Sequence, residues 1–301
     1  MGTIVQLFVH PMKPQSHYLT CHGFNLHVTT WGDPSKPAVI AWHGLARTGR
    51  DFDWLAAQLC HDYYVVCPDT IGRGLSQWAR DPKEDYSFVT YTHIAWDMLQ
   101  ALNIQHAHWV GTSMGGALGL VCAAGLVEPR FKGIIRSLLL NDIAPEISVV
   151  AVERIKAYAG QPPAFDSMPE LETFFRAAYA PFGALTDAQW RHLCETSTRR
   201  LPDGRVTPHY DPAITQQFFR EVPEYPMWRE YDALTIPLMV MRGANSDLIS
   251  TDTLEAMRTR GPGALGLLRT LEVEGCGHAP ALNVPAQWDW VKAFLQSANY
   301  G

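Results

Sequence analysis

Polar and apolar residues alternate through Phe24-Asn25-Leu26-His27-Val28-Thr29-Thr30-Trp31, the spacing of a strand with one buried face, and Gly32-Asp33-Pro34 closes it with a turn. The pattern then changes. Short, continuously apolar runs follow at Ala38 to Trp42, Tyr63 to Cys67, His108 to Gly111, Ser137 to Asn141, Leu238 to Arg242 and Leu267 to Val273. Runs of that length without alternation predict strands covered on both faces. Helix-length segments separate them, at Asp51 to Cys60, Tyr91 to Leu102, Met114 to Leu126, Thr251 to Thr259 and Pro285 to Ala298. The β-α alternation predicts an α/β fold with a parallel sheet behind a hairpin-like edge.

One stretch breaks the rhythm. Residues 144–235 are rich in aromatic residues and proline and hold no convincing buried strand. Helical periodicity runs through Val149 to Ala159, Met168 to Tyr179 and Thr186 to Thr196, with Pro-rich joints between. The expected organisation is a core of residues 1–143 and 236–301 with residues 144–235 inserted as a mobile helical cap. No repeat, low-complexity tract or charged tail suggests a separate domain.

Composition narrows the class. Of 301 residues, 47% are hydrophobic and 18% charged, which suits a self-folding globular enzyme. The net charge of −6, with Lys and Arg scattered, gives no footprint for nucleic acid or an anionic membrane, so a small-molecule substrate is expected. The six cysteines show no C-x-x-C pairing and read as free thiols. No apolar run approaches the roughly 18 residues of a membrane span. The first ten residues, Met1 to His10, lack the pattern of a secretory leader, so a cytoplasmic enzyme is expected.

The chemistry concentrates at strand ends. Gly111-Thr112-Ser113-Met114-Gly115 follows one strand and opens a small, apolar helix, the context of a nucleophile elbow with Ser113 at its tip. The glycines allow a strained turn, and the helix aims its first amides where an oxyanion would form. Trp42-His43-Gly44-Leu45 ends another strand, so the backbone amides of Leu45 and Met114 are the expected oxyanion donors; His43 itself reads as a structural histidine bonded to the loop backbone. Gly275-Cys276-Gly277-His278 places His278 on a loop beyond the last strand, as the candidate base. Cys276 and His278 also suit a metal, but no further ligands cluster near them, so no metal and no cofactor are expected. For the acid that orients His278, Asp247 lies on the loop after Leu238 to Met241 and is preferred; Asp142, after the strand ending at Asn141, is the competitor. Asp69-Thr70-Ile71-Gly72-Arg73-Gly74-Leu75-Ser76 lacks the spacing of a phosphate loop and reads as a structural turn.

From about Phe24 to its C-terminus the chain resembles the α/β-hydrolase family, on His43-Gly44, the Asp69 to Ser76 turn, Gly111 to Gly115 and Gly277-His278 in that order. The resemblance implies a mostly parallel eight-stranded sheet flanked by helices with an inserted cap, and a Ser-Asp-His triad. A serine at the elbow argues against the similar dehalogenases and epoxide hydrolases, which need aspartate there. The expected activity is hydrolysis of a small to medium carboxylic ester or lactone through an acyl-enzyme on Ser113. A carbon-carbon bond hydrolase of ring-cleavage products on the same triad, or a non-catalytic binding protein on the scaffold, are the alternatives. Arg47 and Arg50 hint at a substrate carrying a carboxylate, against the simpler reading of ion pairs with Asp51 or Asp53.

Overall fold

Five of the six continuous apolar runs become the centre of one sheet; the sixth, over Leu268–Val273, forms its edge and is mostly half-buried or exposed, which corrects the expectation that it is covered on both faces. Residues 13–219 and 224–298 are described by the structure, a computed structural model; Met1 to His10, weighed above for a leader, lie outside the described residues. The strands are β1 (Gln15–Cys21), β2 (Phe24–Trp31), β3 (Ala38–Trp42), β4 (Tyr64–Pro68), β5 (Ala107–Thr112), β6 (Ile135–Asn141), β7 (Thr198–Arg200), β8 (Val206–Pro208), β9 (Leu238–Gly243) and β10 (Leu268–Val273). Eight of them form the sheet in the order β1-β2-β4-β3-β5-β6-β9-β10. β2 pairs antiparallel with β1 and β4, and the remaining pairs are parallel.

β3 and β4 are buried at every position, which is why their sequences show no alternation. β1 is mostly exposed, with Ser16, Tyr18 and Thr20 facing solvent, so its apolar pattern is too weak to mark it from sequence. The predicted Asp51 to Cys60 helix starts as a 3₁₀ turn over Gly49–Phe52 and becomes α-helical over Asp53–Leu59. The helix read from Tyr91 begins earlier, at Phe88, because the Ser87 side chain accepts the Thr90 amide as an N-cap.

Apolar layers cover both sheet faces. The larger includes Trp42, Trp109 and the Met114–Ala124 helix; the other includes Phe52, Leu55, Leu139, Met241 and Phe294. Trp42 and Trp109 stack at 5.3 Å and 5° beneath the elbow, a pairing worth about 1 kcal/mol beyond its area. The Met114–Ala124 helix is buried on every side, and its small residues let it lie against the sheet: a Cβ on Gly119 would sit 2.5 Å from the Trp109 ring.

The segment between β6 and β9 carries the helices Val149–Ala159, Met168–Ala178 and Asp187–Thr196 and has a small core of its own, with Leu171, Phe175, Trp190, Leu193, Cys194 and Val206. It also holds a hairpin, β7 against β8, and β8 is buried at each position, which corrects the expectation that no convincing buried strand lies there. Each of those strands is three residues long, too short for period-two alternation to register. All six cysteines are free and buried. Among the described residues no helix is long and apolar enough to cross a membrane.

Candidate active site

Because β5 and β6 run parallel and keep one register from His108 onward, their C-terminal ends emerge side by side, with Thr112 opposite Asn141. Ser113 follows at once with φ 51° and ψ −120°, a conformation that side chains avoid unless surrounding structure imposes it. The constraint is visible: the Ser113 amide donates to Asn141 O at 2.9 Å, and Ser113 O accepts from the amides of Gly116 and Ala117. Gly115 lies so near β3 that a Cβ there would stand 2.1 Å from Trp42 O, and one on Gly111 would stand 2.4 Å from the Gly115 backbone. Gly115→Ala is therefore expected to lower stability by about 3 kcal/mol or more, read as a fall in Tm of several degrees by circular dichroism; an unchanged Tm would mean that the elbow and β3 do not pack as described.

Ser113 Oγ lies 2.9 Å from His278 Nε2, and His278 Nδ1 lies 2.7 Å from Asp142 Oδ2. The expectation of Asp247 in that third position is corrected by this geometry. Asp142 is fully buried at the end of β6, with φ 53°, and its carboxylate also accepts from the Gly243 amide at 2.9 Å and from Ser246 Oγ at 2.6 Å. Asp247 points elsewhere: its side chain is half exposed and forms a bidentate pair with Arg154, which holds its carboxyl below the usual carboxylate range. β6 and β9 are neighbours, so both acids sit at one sheet edge; the loop after β9 supplies Ser246 to Asp142 rather than an acid to His278.

His43 meets the loop backbone, as expected. The Thr70 amide donates to its Nε2 at 2.9 Å, leaving Nδ1 to donate to Gly44 O at 2.7 Å. Burial drives its pKa down to about 4 against the pull of Asp69. The unfolded chain binds the proton near pH 6.5 while the folded site refuses it down to about 4, so stability falls as pH drops through that window and is unaffected above it. The loss is about 3 kcal/mol. Denaturant titrations should show this slope, and His43→Asn should flatten it; an equal slope in the variant would assign the acid sensitivity to another group.

The Asp69 to Ser76 turn does more than turn. Asp69 accepts from the amides of Gly49 and Leu75 and from His27 Nδ1. Buried Arg73 donates through Nε to Leu45 O at 2.8 Å and through one Nη to Ile71 O and Tyr91 Oη. It thereby braces the loop that carries the Leu45 amide, a role for which the sequence offered no signal beyond an arginine between two glycines. Ser16, His27 and Asp69 form a second Ser-His-Asp line, at 2.6 and 2.8 Å. Ser16, however, lies within the edge strand β1 opposite Thr29, not at a helix N-terminus, so no helix amides converge on it.

Ser113 and His278 open into a cavity of about 510 Å³, walled by the β6–β9 segment. Ile155, Phe174 and Phe182 give it an apolar lining, and Asp247 and Arg154 also border it. Leu45 and Gly44 border it beside Ser113. The two arginines read for carboxylate binding are both engaged: Arg47 grips Asp51 through Nε and Nη2 at 2.8 and 2.6 Å, and Arg50 donates to Asp53 at 2.6 Å. Arg47 borders the cavity; Arg50 lines two other pockets.

Residues 39–291 match the model of the alpha/beta hydrolase family. The chain is 40% identical over 267 residues, covering 85% of it and 88% of the relative, to a 3-hydroxybutyrate-oligomer hydrolase from Cupriavidus necator. It is 29% identical over 157 residues, half of each chain, to a 2-hydroxymuconate semialdehyde hydrolase from Pseudomonas sp.. The crystal structure of an alpha/beta hydrolase from Novosphingobium aromaticivorans superposes with a TM-score of 0.81 at 31% identity, over 94% of this chain and 98% of that one.

Proposed function

Because the chain belongs to the alpha/beta hydrolase family, we propose that it is a serine esterase acting on a small to medium carboxylic ester, with linear hydroxyacid oligoesters the leading substrates. The observation that carries this reading is the unbroken line Ser113 Oγ, His278, Asp142, at 2.9 and 2.7 Å, opening into an apolar cavity. His278 Nε2 takes the Ser113 hydroxyl proton as Oγ attacks the ester carbonyl. The carbonyl oxygen gains the negative charge and is met by the amides of Leu45 and Met114. Collapse breaks the bond to the alkoxy oxygen, which leaves as the alcohol with the proton from His278. Water, deprotonated by the same imidazole, then releases the acid. Asp142 fixes the tautomer and stabilises the imidazolium. Residues 144–235 serve as the cap over a core of residues 1–143 and 236–301, so cap residues set which acyl groups fit.

Similarity over 85% of the chain to a 3-hydroxybutyrate-oligomer hydrolase supports the ester reading over carbon-carbon cleavage, for which the corresponding similarity spans half the chain. The test is turnover of a panel of short esters, lactones, hydroxybutyrate oligomers and dienoic ketones, with fluorophosphonate labelling of the intact protein. Burst release of alcohol from esters with one labelled serine is expected. Turnover confined to the dienoic ketones would move the assignment to carbon-carbon hydrolysis, and ligand binding without labelling would leave a binding protein.

A further inference from the structure

The buried run Ser137 to Asn141 ends on a side chain that an apolar interior does not ask for. Asn141 closes β6 and is fully buried. Its Nδ2 donates to Thr112 Oγ1 at 3.0 Å and to Pro280 O at 2.8 Å. A carbonyl oxygen accepts and never donates, so the bond to Pro280 O fixes which end of the amide faces that loop. Asn141 Oδ1 is left buried and without a hydrogen-bond partner among the described residues. An unpaired buried acceptor costs stability, so an apolar side chain would serve the sheet better at this place. What asparagine adds is the pair of bonds from Nδ2.

Those bonds join the segments that carry the nucleophile and the base. Thr112 precedes Ser113 at the elbow, and Pro280 lies two residues past His278. The main chain adds another link, Asn141 O accepting the Ser113 amide at 2.9 Å, and the next residue, Asp142, meets His278 Nδ1. The loop after β10 has use for such a tie, because it is also bonded to the β6–β9 segment. The Gly277 amide donates to Pro181 O at 2.7 Å, the Ala281 amide to Phe182 O at 3.2 Å, and Asn283 O accepts from Gln189 Nε2 at 2.8 Å. On the sheet side, Cys276 O accepts from the Asn245 amide at 2.9 Å ahead of His278, and Pro280 O accepts from Asn141 behind it.

Resting on the esterase reading, we propose that Asn141 is a positioning residue of the active site: its side-chain amide holds the Ser113 elbow and the His278 loop at one spacing. It thereby sets the 2.9 Å approach of His278 Nε2 to Ser113 Oγ. Asn141 acts through Thr112 and Pro280 and takes no part in proton transfer. A misplacement of about 1 Å between reacting groups costs about a hundredfold in rate. A loop released from Asn141 also loosens His278 from the Asp142 carboxylate, which destabilises the imidazolium and moves its titration to lower pH.

The experiment uses full-length protein and p-nitrophenyl butyrate, with Asn141→Leu, Thr112→Val and the double variant. Asn141→Leu should lower kcat about a hundredfold and leave KM within about twofold. The acid limb of its kcat profile should move to lower pH, while circular dichroism shows a Tm no more than a few degrees below that of the wild type. Thr112→Val removes one of the two bonds and should cost a smaller factor. The double variant should be no slower than Asn141→Leu, since no amide remains for the threonine hydroxyl to meet. A kcat for Asn141→Leu within about threefold of the wild type, an unmoved acid limb, or losses that multiply in the double variant would overturn the proposal and leave the esterase standing. Should Asn141→Leu fail to fold, Asn141→Val, suited to a strand and equally without a donor, takes its place with the same expected and overturning results. Wild-type protein that turns over no ester and leaves Ser113 unlabelled overturns the esterase reading, and the positioning role with it.

Discussion

Ser113→Ala is expected to lower kcat for ester hydrolysis about a millionfold, because removal of the proposed triad nucleophile leaves only what the proposed oxyanion donors and binding supply. The fold should survive. Ser113 Oγ touches His278 alone among the contacts that define the elbow, whose backbone is held by Asn141 O and by the amides of Gly116 and Ala117. Alanine at φ 51° is strained no more than serine, so Tm should stay within a degree or two. Fluorophosphonate labelling should vanish in the variant. Retained labelling would point to Ser16, which lies 2.6 Å from His27 with His27 2.8 Å from Asp69 but has no helix N-terminus behind it, and would refute the assignment of the nucleophile.

Asp142→Asn is the second large effect, expected to reduce kcat about ten-thousandfold. An amide at this position can still accept from the Gly243 amide or from Ser246 Oγ, and asparagine tolerates the left-handed φ of 53°. What it loses is the negative charge beside His278 Nδ1, and it can hold the imidazole in the wrong tautomer. The matched variant Asp247→Asn should change kcat by less than about threefold, since Asp247 is exposed and paired with Arg154, and an exposed pair of this kind is worth little. The two pH-rate profiles separate the roles further: only Asp142→Asn should alter the titration that governs kcat. The reverse ranking would require the loop after β9 to reorganise around His278, and would restore Asp247 as the acid.

Much of this protein was legible along the chain. Central strands such as Ala38–Trp42 are buried on both faces, so local sequence had to be uniformly apolar. The elbow could be read because its geometry is a local demand: a positive-φ serine between a strand and a close-packed helix needs glycine at Gly111 and Gly115, whatever else the fold does. His278 was legible for a related reason, as a histidine in a glycine-rich loop just past a strand. Edge strand β1 and the short β7–β8 hairpin were not, since a mostly exposed strand leaves no apolar pattern and three residues are too few to show one.

The choice of acid was a different kind of question. Asp142 and Asp247 both follow strands that end at one sheet edge, and sequence order is the same for either. The decision rests on which carboxylate is buried against His278 Nδ1, which depends on the Ser246 and Gly243 contacts across two loops separated by about a hundred residues. Arg47 shows the same division. Its residue type and place after His43-Gly44 suggested an anion, and proximity suggested Asp51; only the packed structure reveals that its guanidinium is taken up by Asp51 and Ser197. Burial and hydrogen-bond competition are properties of the assembled molecule, and local sequence carries them only where a single turn or strand imposes them.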